Sequence, residues 1–346
     1  VLEYVVPFAI ALIVAYVLTP GVKKLAFKVG AIDKPNARKV HTHIIPRLGG
    51  LAIYLGFMAA VLYAVPIHHH MVGFLIGCTA IVALGIWDDI CNIPARVKLV
   101  GQIIAAAIPV AFGIQIEWLT NPFGTLIVLP EIIAVPITIF WIISFTNTVN
   151  LIDGLDGLAA GVSFIASVFM FILAYTMNQY VPAMIILAMA GAALGFLQYN
   201  FNPAKIFMGD TGSMLLGYTM AVVAVLGLVK TAATVALVVP VIALGLPILD
   251  TTFAIIRRRM SGVPIFKPDK GHLHHRLLAL GLSQKQAVLT MYCVSLVLGL
   301  VAMFVASVNY ATGIVTVLIV LAIIIYSAKR IGILRKTTPD TTHKHD

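Results

Sequence analysis

Two aspartates three residues apart, Asp153 and Asp156, stand in the stretch "NTVNLIDGLDGLAAG", led in by Asn147 and Asn150. At i,i+3 spacing the two carboxylates share a face if the segment is helical. With the asparagines they form a polar stripe beside Gly154 and Gly157, as at a helix end opened to bind something polar. More negative charge follows the same pattern. "GIWDDICNIPARVKLVGQ" places Asp88 and Asp89 where an apolar segment ends, and "YNFNPAKIFMGDTGS" holds Asn200, Asn202 and Asp210. Such an excess of carboxylates needs positive charge. A hard cation such as Mg²⁺ suits all-oxygen ligands, and Lys or Arg side chains could supply the balance instead. "GDTGS" reads as a tight turn entering a helix, which Thr211 or Ser213 could cap and whose free N–H groups suit a phosphate. "RRRMSGVPIFKPDKGHLHHRL" adds His272 and His275 at i,i+3, with His274 between them and Arg276 after, a cluster suited to a diphosphate or sugar. Together with a cleft embedded in a membrane, as the apolar background of the chain implies, these groups fit phosphoryl transfer between a soluble donor and a lipid.

The elements that must position these groups are apolar helices. Of 346 residues, 61% are hydrophobic and only 10% charged, with a mean hydropathy of +1.04. Soluble domains carry roughly 25% charged residues, so the chain reads as an all-α, polytopic integral membrane protein embedded in a lipid bilayer. At roughly 20 apolar residues per crossing, about eleven transmembrane helices are expected. Their spans are 3–19, 48–66, 71–87, 98–114, 131–147, 158–177, 181–198, 212–229, 233–256, 287–307 and 310–328. They make one transmembrane domain over 1–328, followed by a basic tail over 329–346 that is expected to be disordered. No basic region precedes the first apolar run, so no cleavable signal peptide is expected, and the missing initiator Met suggests a processed start. Cys78, Cys91 and Cys293 show no paired spacing and read as packing residues, without a disulfide or zinc site. His68–His70 reads as a solvated loop. Arg257–Arg259 reads as a topology signal or a contact to anionic lipid.

Charge tests the arrangement independently. If the connector 20–47 lies on one side, alternation of eleven helices places 22 of the 23 basic residues on that side, leaving only Lys230 opposite. By the positive-inside rule this side is cytoplasmic, with the N-terminus outside and the C-terminus inside. All ten Asp residues fall on the same side or at helix ends facing it, whereas Glu3, Glu117 and Glu131 fall on the other. Acidic residues contribute little to topology, so this partition points to an aspartate-rich active site formed by loops at the cytoplasmic face. A cation-coupled secondary transporter is the alternative of another class. It would place charge near the bilayer midplane with access from both sides, which the one-sided partition disfavours.

The order of the motifs resembles the polyprenyl-phosphate N-acetylhexosamine-1-phosphate transferase family. The resemblance rests on "DD" at 88–89 with Lys98 and Gln102 downstream, "NLIDGLDGL" at 150–158, "FMGDTGS" at 207–213 and "HLHHR" at 272–276. It implies transfer of a sugar-1-phosphate from a UDP-sugar to a polyprenyl phosphate with Mg²⁺, or Mn²⁺ in its place, and release of UMP. It further implies Asp210 as the metal ligand, Asp88 and Asp89 near the lipid phosphate, and Lys98 neutralising phosphate. Asn150, Asp153, Asp156 and Asn200 would belong to the nucleotide pocket, and His272, His274, His275 and Arg276 would hold diphosphate and sugar. "HLHHR" departs from the three contiguous histidines of the peptidoglycan branch, and "PILDTTFAIIRRR" lies just upstream. Both are similar to the branch that transfers N-acetylglucosamine-1-phosphate from UDP-N-acetylglucosamine to undecaprenyl phosphate, starting teichoic acid or O-antigen-type glycans. A phospho-N-acetylmuramoyl-pentapeptide transferase is the second reading within the class. A homodimer is left open and no nucleic-acid partner is expected.

Overall fold

A computed structural model describes residues 2–35, 43–120, 126–228, 240–260 and 272–331. Arg38, Lys39, Lys230, Lys267, Lys270 and the tail beyond 331 lie outside the described residues. The chain is helical almost throughout: α1 (Leu2–Val29), α2 (Gly50–Ala64), α3 (His69–Cys91), α4 (Ala95–Ala111), α5 (Glu131–Ile152), α6 (Leu158–Thr176), α7 (Tyr180–Asn200), α8 (Gly209–Leu228), α9 (Gly245–Met260), α10 (Leu273–Ala279), α11 (Gln284–Ser307) and α12 (Tyr310–Ile331). Among the described residues, two short antiparallel pairs, β1 (Ile32–Asp33) with β2 (Ile45–Pro46) and β3 (Trp118–Thr120) with β4 (Leu126–Val128), and a parallel bridge between Arg47 and Phe207 depart from an all-α reading.

Each expected span overlaps a described helix, residues 229–239 lying outside the described ones, and eight of the described helices are long and apolar enough to cross a membrane. The chain is a polytopic all-α membrane protein, since in a bilayer only helices or closed barrels satisfy their own backbone. Boundaries moved for local reasons. α1 runs on from the expected end at 19 through Pro20 to Val29, so Lys23, Lys24 and Lys28 extend the helix as a basic last stretch. α12 likewise takes in Lys329 and Arg330. α3 stops where Asn92 adopts a left-handed conformation (φ 49°) and Pro94 starts α4. The amphipathic α10 was not expected.

The bundle is built around α8, whose spanning window is 83% buried, against 11% for α12 at the periphery. α8 packs on α3 and α5, while α7 packs on α1 and α6. In lipid such contacts depend on close backbone approach at small residues. A methyl added at Gly85 of α3 would run into the Thr211 backbone, and one at Gly50 of α2 into Gly212. The first turn of α8 is thus wedged between the end of α3 and the start of α2. One expectation for a basic residue is corrected here. Arg257 is only 1% exposed and cannot be a lipid-headgroup contact. His69 and His70 are also more than a solvated loop: they open α3, with the His70 Nδ1 2.5 Å from the Phe112 carbonyl oxygen at the end of α4 and the His69 ring 4.8 Å from Phe112.

Gly85→Ala is expected to destabilise the protein by roughly 1–3 kcal/mol through overpacking. Gly21→Ala, where no atom lies within 4 Å of the new methyl, should be neutral or stabilising by up to about 1 kcal/mol. Thermal unfolding of both variants in detergent checks the pair. A Gly85→Ala variant as stable as its parent would show that α3 and α8 do not touch there.

Candidate active site

Asp89, 3% exposed at the end of α3, accepts three hydrogen bonds from the start of α8. They come from the Asp210 N–H at 2.9 Å, the Thr211 N–H at 3.0 Å and the Thr211 hydroxyl at 2.6 Å. A carboxylate there satisfies N–H groups that no residue of the helix can reach and favours the positive end of its dipole. Gly209 makes the fit possible, because its φ of +72° suits glycine and a Cβ would lie 2.5 Å from the Asp89 carboxylate. The phosphate expected on these N–H groups is therefore replaced by the protein's own anion. Asp89 organises the site from beneath.

Asp88, its neighbour on the helix, points elsewhere. One oxygen accepts the Ile93 N–H at 2.9 Å and fixes the turn into α4; the other lies 3.1 Å from Lys98 Nζ. Lys98, near the start of α4, also pairs with Asp210 Oδ2 and donates to Asn150 Oδ1 at 3.1 Å. Asn150 Nδ2 returns to Asp210 Oδ1 and Ser213 Oγ, both at 2.8 Å. One turn deeper, Gln102 of α4 and Asn147 of α5 exchange two side-chain hydrogen bonds. The polar residues of α4 and α5 therefore zip together beneath Asp210. Asn150 is the hub of this network.

The opening stripe does not continue as helix. α5 ends at Ile152, and Asp153–Gly157 is a turn whose last residue takes φ +79° before α6. Asp153 and Asp156 therefore do not share a helical face. Asp156 Oδ2 accepts from Asn202 Nδ2 at 3.0 Å and from the Ala204 N–H at 2.9 Å. Among the described residues no donor reaches the Asp153 carboxylate. Burial, with the nearby Asp210, Asp89 and Asp156 carboxylates, pushes its pKa up to about 8. Asn200, 2% exposed, accepts the Gly157 N–H and donates to the Ile206 carbonyl, so its side chain braces the turn.

The "HLHHR" segment divides in the same way. His272 stands at the N-cap position of α10 and pairs with Asp250 of α9. His274 packs its ring against Gly154, and burial beside His275 lowers its pKa to about 3, leaving it neutral. His275 faces a cleft of about 290 Å³, open to solvent, that is also lined by Asp89, Asp153, Asp156, Asp210, Arg47 and Phe207. Arg276 Nε is buried with no partner among the described residues.

Sequence reasoning passed over Arg47 and Asp250. Arg47 donates through Nε to the Asp89 carbonyl oxygen at 3.0 Å and through Nη2 to Asn92 Oδ1, placing a fixed guanidinium on the cleft wall. Its signal was its place just before the Leu48–Gly50 turn. Asp250 was concealed inside an apolar helix.

Two aspartate variants should part company. Asp89→Asn loses an acceptor from a buried set of three and should destabilise the protein by roughly 1–3 kcal/mol. Asp153→Asn removes a carboxyl with no donor and should leave the fold intact. Because the pKa of Asp153 is raised on folding, its ionisation costs stability progressively as pH rises from about 4 towards about 8. In EDTA, Asp153→Asn should therefore gain thermal stability over the parent at pH 8 and little at pH 4. A gain independent of pH would refute the assignment.

Comparison with known proteins agrees with the geometry. The profile described as "Glycosyl transferase family 4" matches residues 71–228, from the start of α3 to the end of α8. A Bacillus subtilis (strain 168) protein named "Probable undecaprenyl-phosphate N-acetylglucosaminyl 1-phosphate transferase" is 43% identical over 88% of this chain and 86% of its own length. A decaprenyl-phosphate N-acetylglucosaminephosphotransferase of Mycolicibacterium smegmatis is 39% identical, covering 82% of this chain and 77% of the relative. The undecaprenyl-phosphate alpha-N-acetylglucosaminyl 1-phosphate transferase of Escherichia coli (strain K12) is 30% identical, covering 77% and 74%. With these matches running through the helices and the polar network alike, the chain belongs to glycosyl transferase family 4, as a membrane transferase of the polyprenyl-phosphate N-acetylhexosamine-1-phosphate transferase group.

Proposed function

We infer that the protein transfers N-acetylglucosamine-1-phosphate from UDP-N-acetylglucosamine to undecaprenyl phosphate, giving undecaprenyl-diphosphate-N-acetylglucosamine and UMP. The product starts a teichoic acid or O-antigen-type glycan. The observation that carries the reading is the Asp88–Lys98–Asp210–Asn150 network, set beside an acidic cleft at the charged end of a membrane bundle. The names of the relatives favour N-acetylglucosamine over a peptidoglycan precursor as the transferred sugar. By the positive-inside rule the charged end is cytoplasmic, where nucleotide sugars are found.

The donor set fits a divalent cation shared with substrate. Among the described residues no three His, Cys, Asp or Glu side chains form a ready-made metal cluster. Mg²⁺ commonly takes one or two carboxylates and completes its shell with water and substrate phosphates. Asp210, with Asp153 beside it, supplies such a pair. When bound, the cation would neutralise charge on the diphosphate oxygens.

In the transfer, an oxygen of the lipid phosphate attacks the β-phosphorus of the UDP-sugar. The bond from that phosphorus to the bridging oxygen breaks, and UMP leaves in line. Asp88 orients the lipid phosphate and can accept its proton. Lys98, held between Asp88 and Asp210, stabilises charge on the equatorial oxygens. The Asp153–Gly157 turn, Asn200 and Phe207 shape the wall for the nucleotide, and His275 faces the diphosphate and sugar.

Purified protein given labelled UDP-N-acetylglucosamine, undecaprenyl phosphate and Mg²⁺ should form labelled lipid, and EDTA should abolish it. Failure of well-folded protein to make lipid product would sink the reading. Asp210→Asn should cut turnover by roughly 10²–10³-fold, the scale of losing one electrostatic stabiliser, with an unchanged melting profile. Near-normal turnover would remove Asp210 from the metal role.

A further inference from the structure

A buried aspartate–histidine contact lies outside the cleft. Asp250 on α9 is 5% exposed and His272 is 7% exposed, and they are 22 residues apart in sequence. Asp250 Oδ2 lies 2.9 Å from His272 Nδ1, while Oδ1 accepts the Leu273 N–H at 2.7 Å. A single carboxylate thus holds both a ring and the first backbone amide of α10.

Contacts then run from this pair to the cleft. The His272 ring lies parallel to His274, 5.8 Å between centroids at an angle of 8°. His274 is 4.2 Å from His275 and sits on the turn that carries Asp153 and Asp156. The absence of a side chain at Gly154 permits this, since a Cβ there would lie 2.8 Å from His274 Nε2. Of the three histidines only His275 lines the cleft. His272 is held away from it by Asp250.

We propose that Asp250 is a positioning residue, acting through His272 to clamp α10 onto the Asp153–Gly157 turn and so set the wall that receives the nucleotide sugar. Asp250 touches neither substrate nor reacting atoms. Its carboxylate fixes the His272 tautomer with Nδ1–H directed at Asp250, as a carboxylate behind a histidine commonly does. The inference rests on the proposed transfer only for the identity of the nucleotide sugar.

The clamp is tested by kinetics and by hydrogen exchange on full-length protein. Asp250→Ala and His272→Ala should each raise KM for UDP-N-acetylglucosamine by roughly 10–100-fold, the scale of a misplaced binding wall. KM for undecaprenyl phosphate should stay within about twofold in both. The double variant should match the worse single variant, because the two residues act as one unit. Asp250→Asn can still accept from Leu273 N–H and donate to His272 Nδ1, so it should recover most of the lost affinity. If Asp250→Ala does not fold, His272→Ala and Asp250→Asn still give the comparison. Exchange gives an arm independent of turnover. Amides in 153–157 and 273–276 should lose protection in Asp250→Ala and keep it in Asp250→Asn. An unchanged KM, equal losses for both substrates, additive effects, or unaltered protection of the 153–157 turn would each overturn the clamp. A wild type without transferase activity would count against the proposed reaction, and the exchange arm would then decide the clamp alone.

Discussion

A carboxylate buried against the start of a helix governs the arrangement of the site. Asp89 can be buried in an apolar surrounding because the Asp210 and Thr211 amides and the Thr211 hydroxyl meet its two oxygens. Leaving any of those partners unpaired in the interior costs about 1–3 kcal/mol. The contact joins α3 to α8, and it fixes the backbone at Asp210, turning that side chain towards Lys98. Arg47 adds the first connector to the same point through the Asp89 carbonyl. Three segments distant in sequence are therefore registered on one residue.

Charge around the cleft is left deliberately uneven. Lys98 lies between Asp88 and Asp210, and Arg47 is bound to a carbonyl and an amide. Asp153 has no counter-charge of its own among the described residues. Such an imbalance is costly near a membrane, and the proposed cation–diphosphate ligand would relieve it.

The helices were legible in the sequence because length and hydropathy alone decide a bilayer span. The polar segments were legible as well, since carboxylates and histidines stand out against so apolar a background. The division of labour within each motif was not. Asp88 and Asp89 are adjacent, but neighbours on a helix point about 100° apart, so one meets Lys98 and the other meets α8. His272, His274 and His275 separate for the same reason. Asp153 and Asp156 were expected on one helical face, and the turn at Asp153–Gly157 broke that periodicity. Asp250 and Arg257 could not be assigned from sequence, because burial of a polar residue depends on partners distant in the chain.

The helix that carries Asp210 in its first turn is also the most enclosed of the spanning helices. A substitution far down its length, at Tyr218 or Met220, has no membrane surface onto which to relax. Any shift must travel along the rigid helix towards its first turn. Genetic screens of this protein would therefore recover heat-sensitive alleles along α8 well away from the polar motifs, whereas the lipid-facing positions of α12 would tolerate wide apolar exchange.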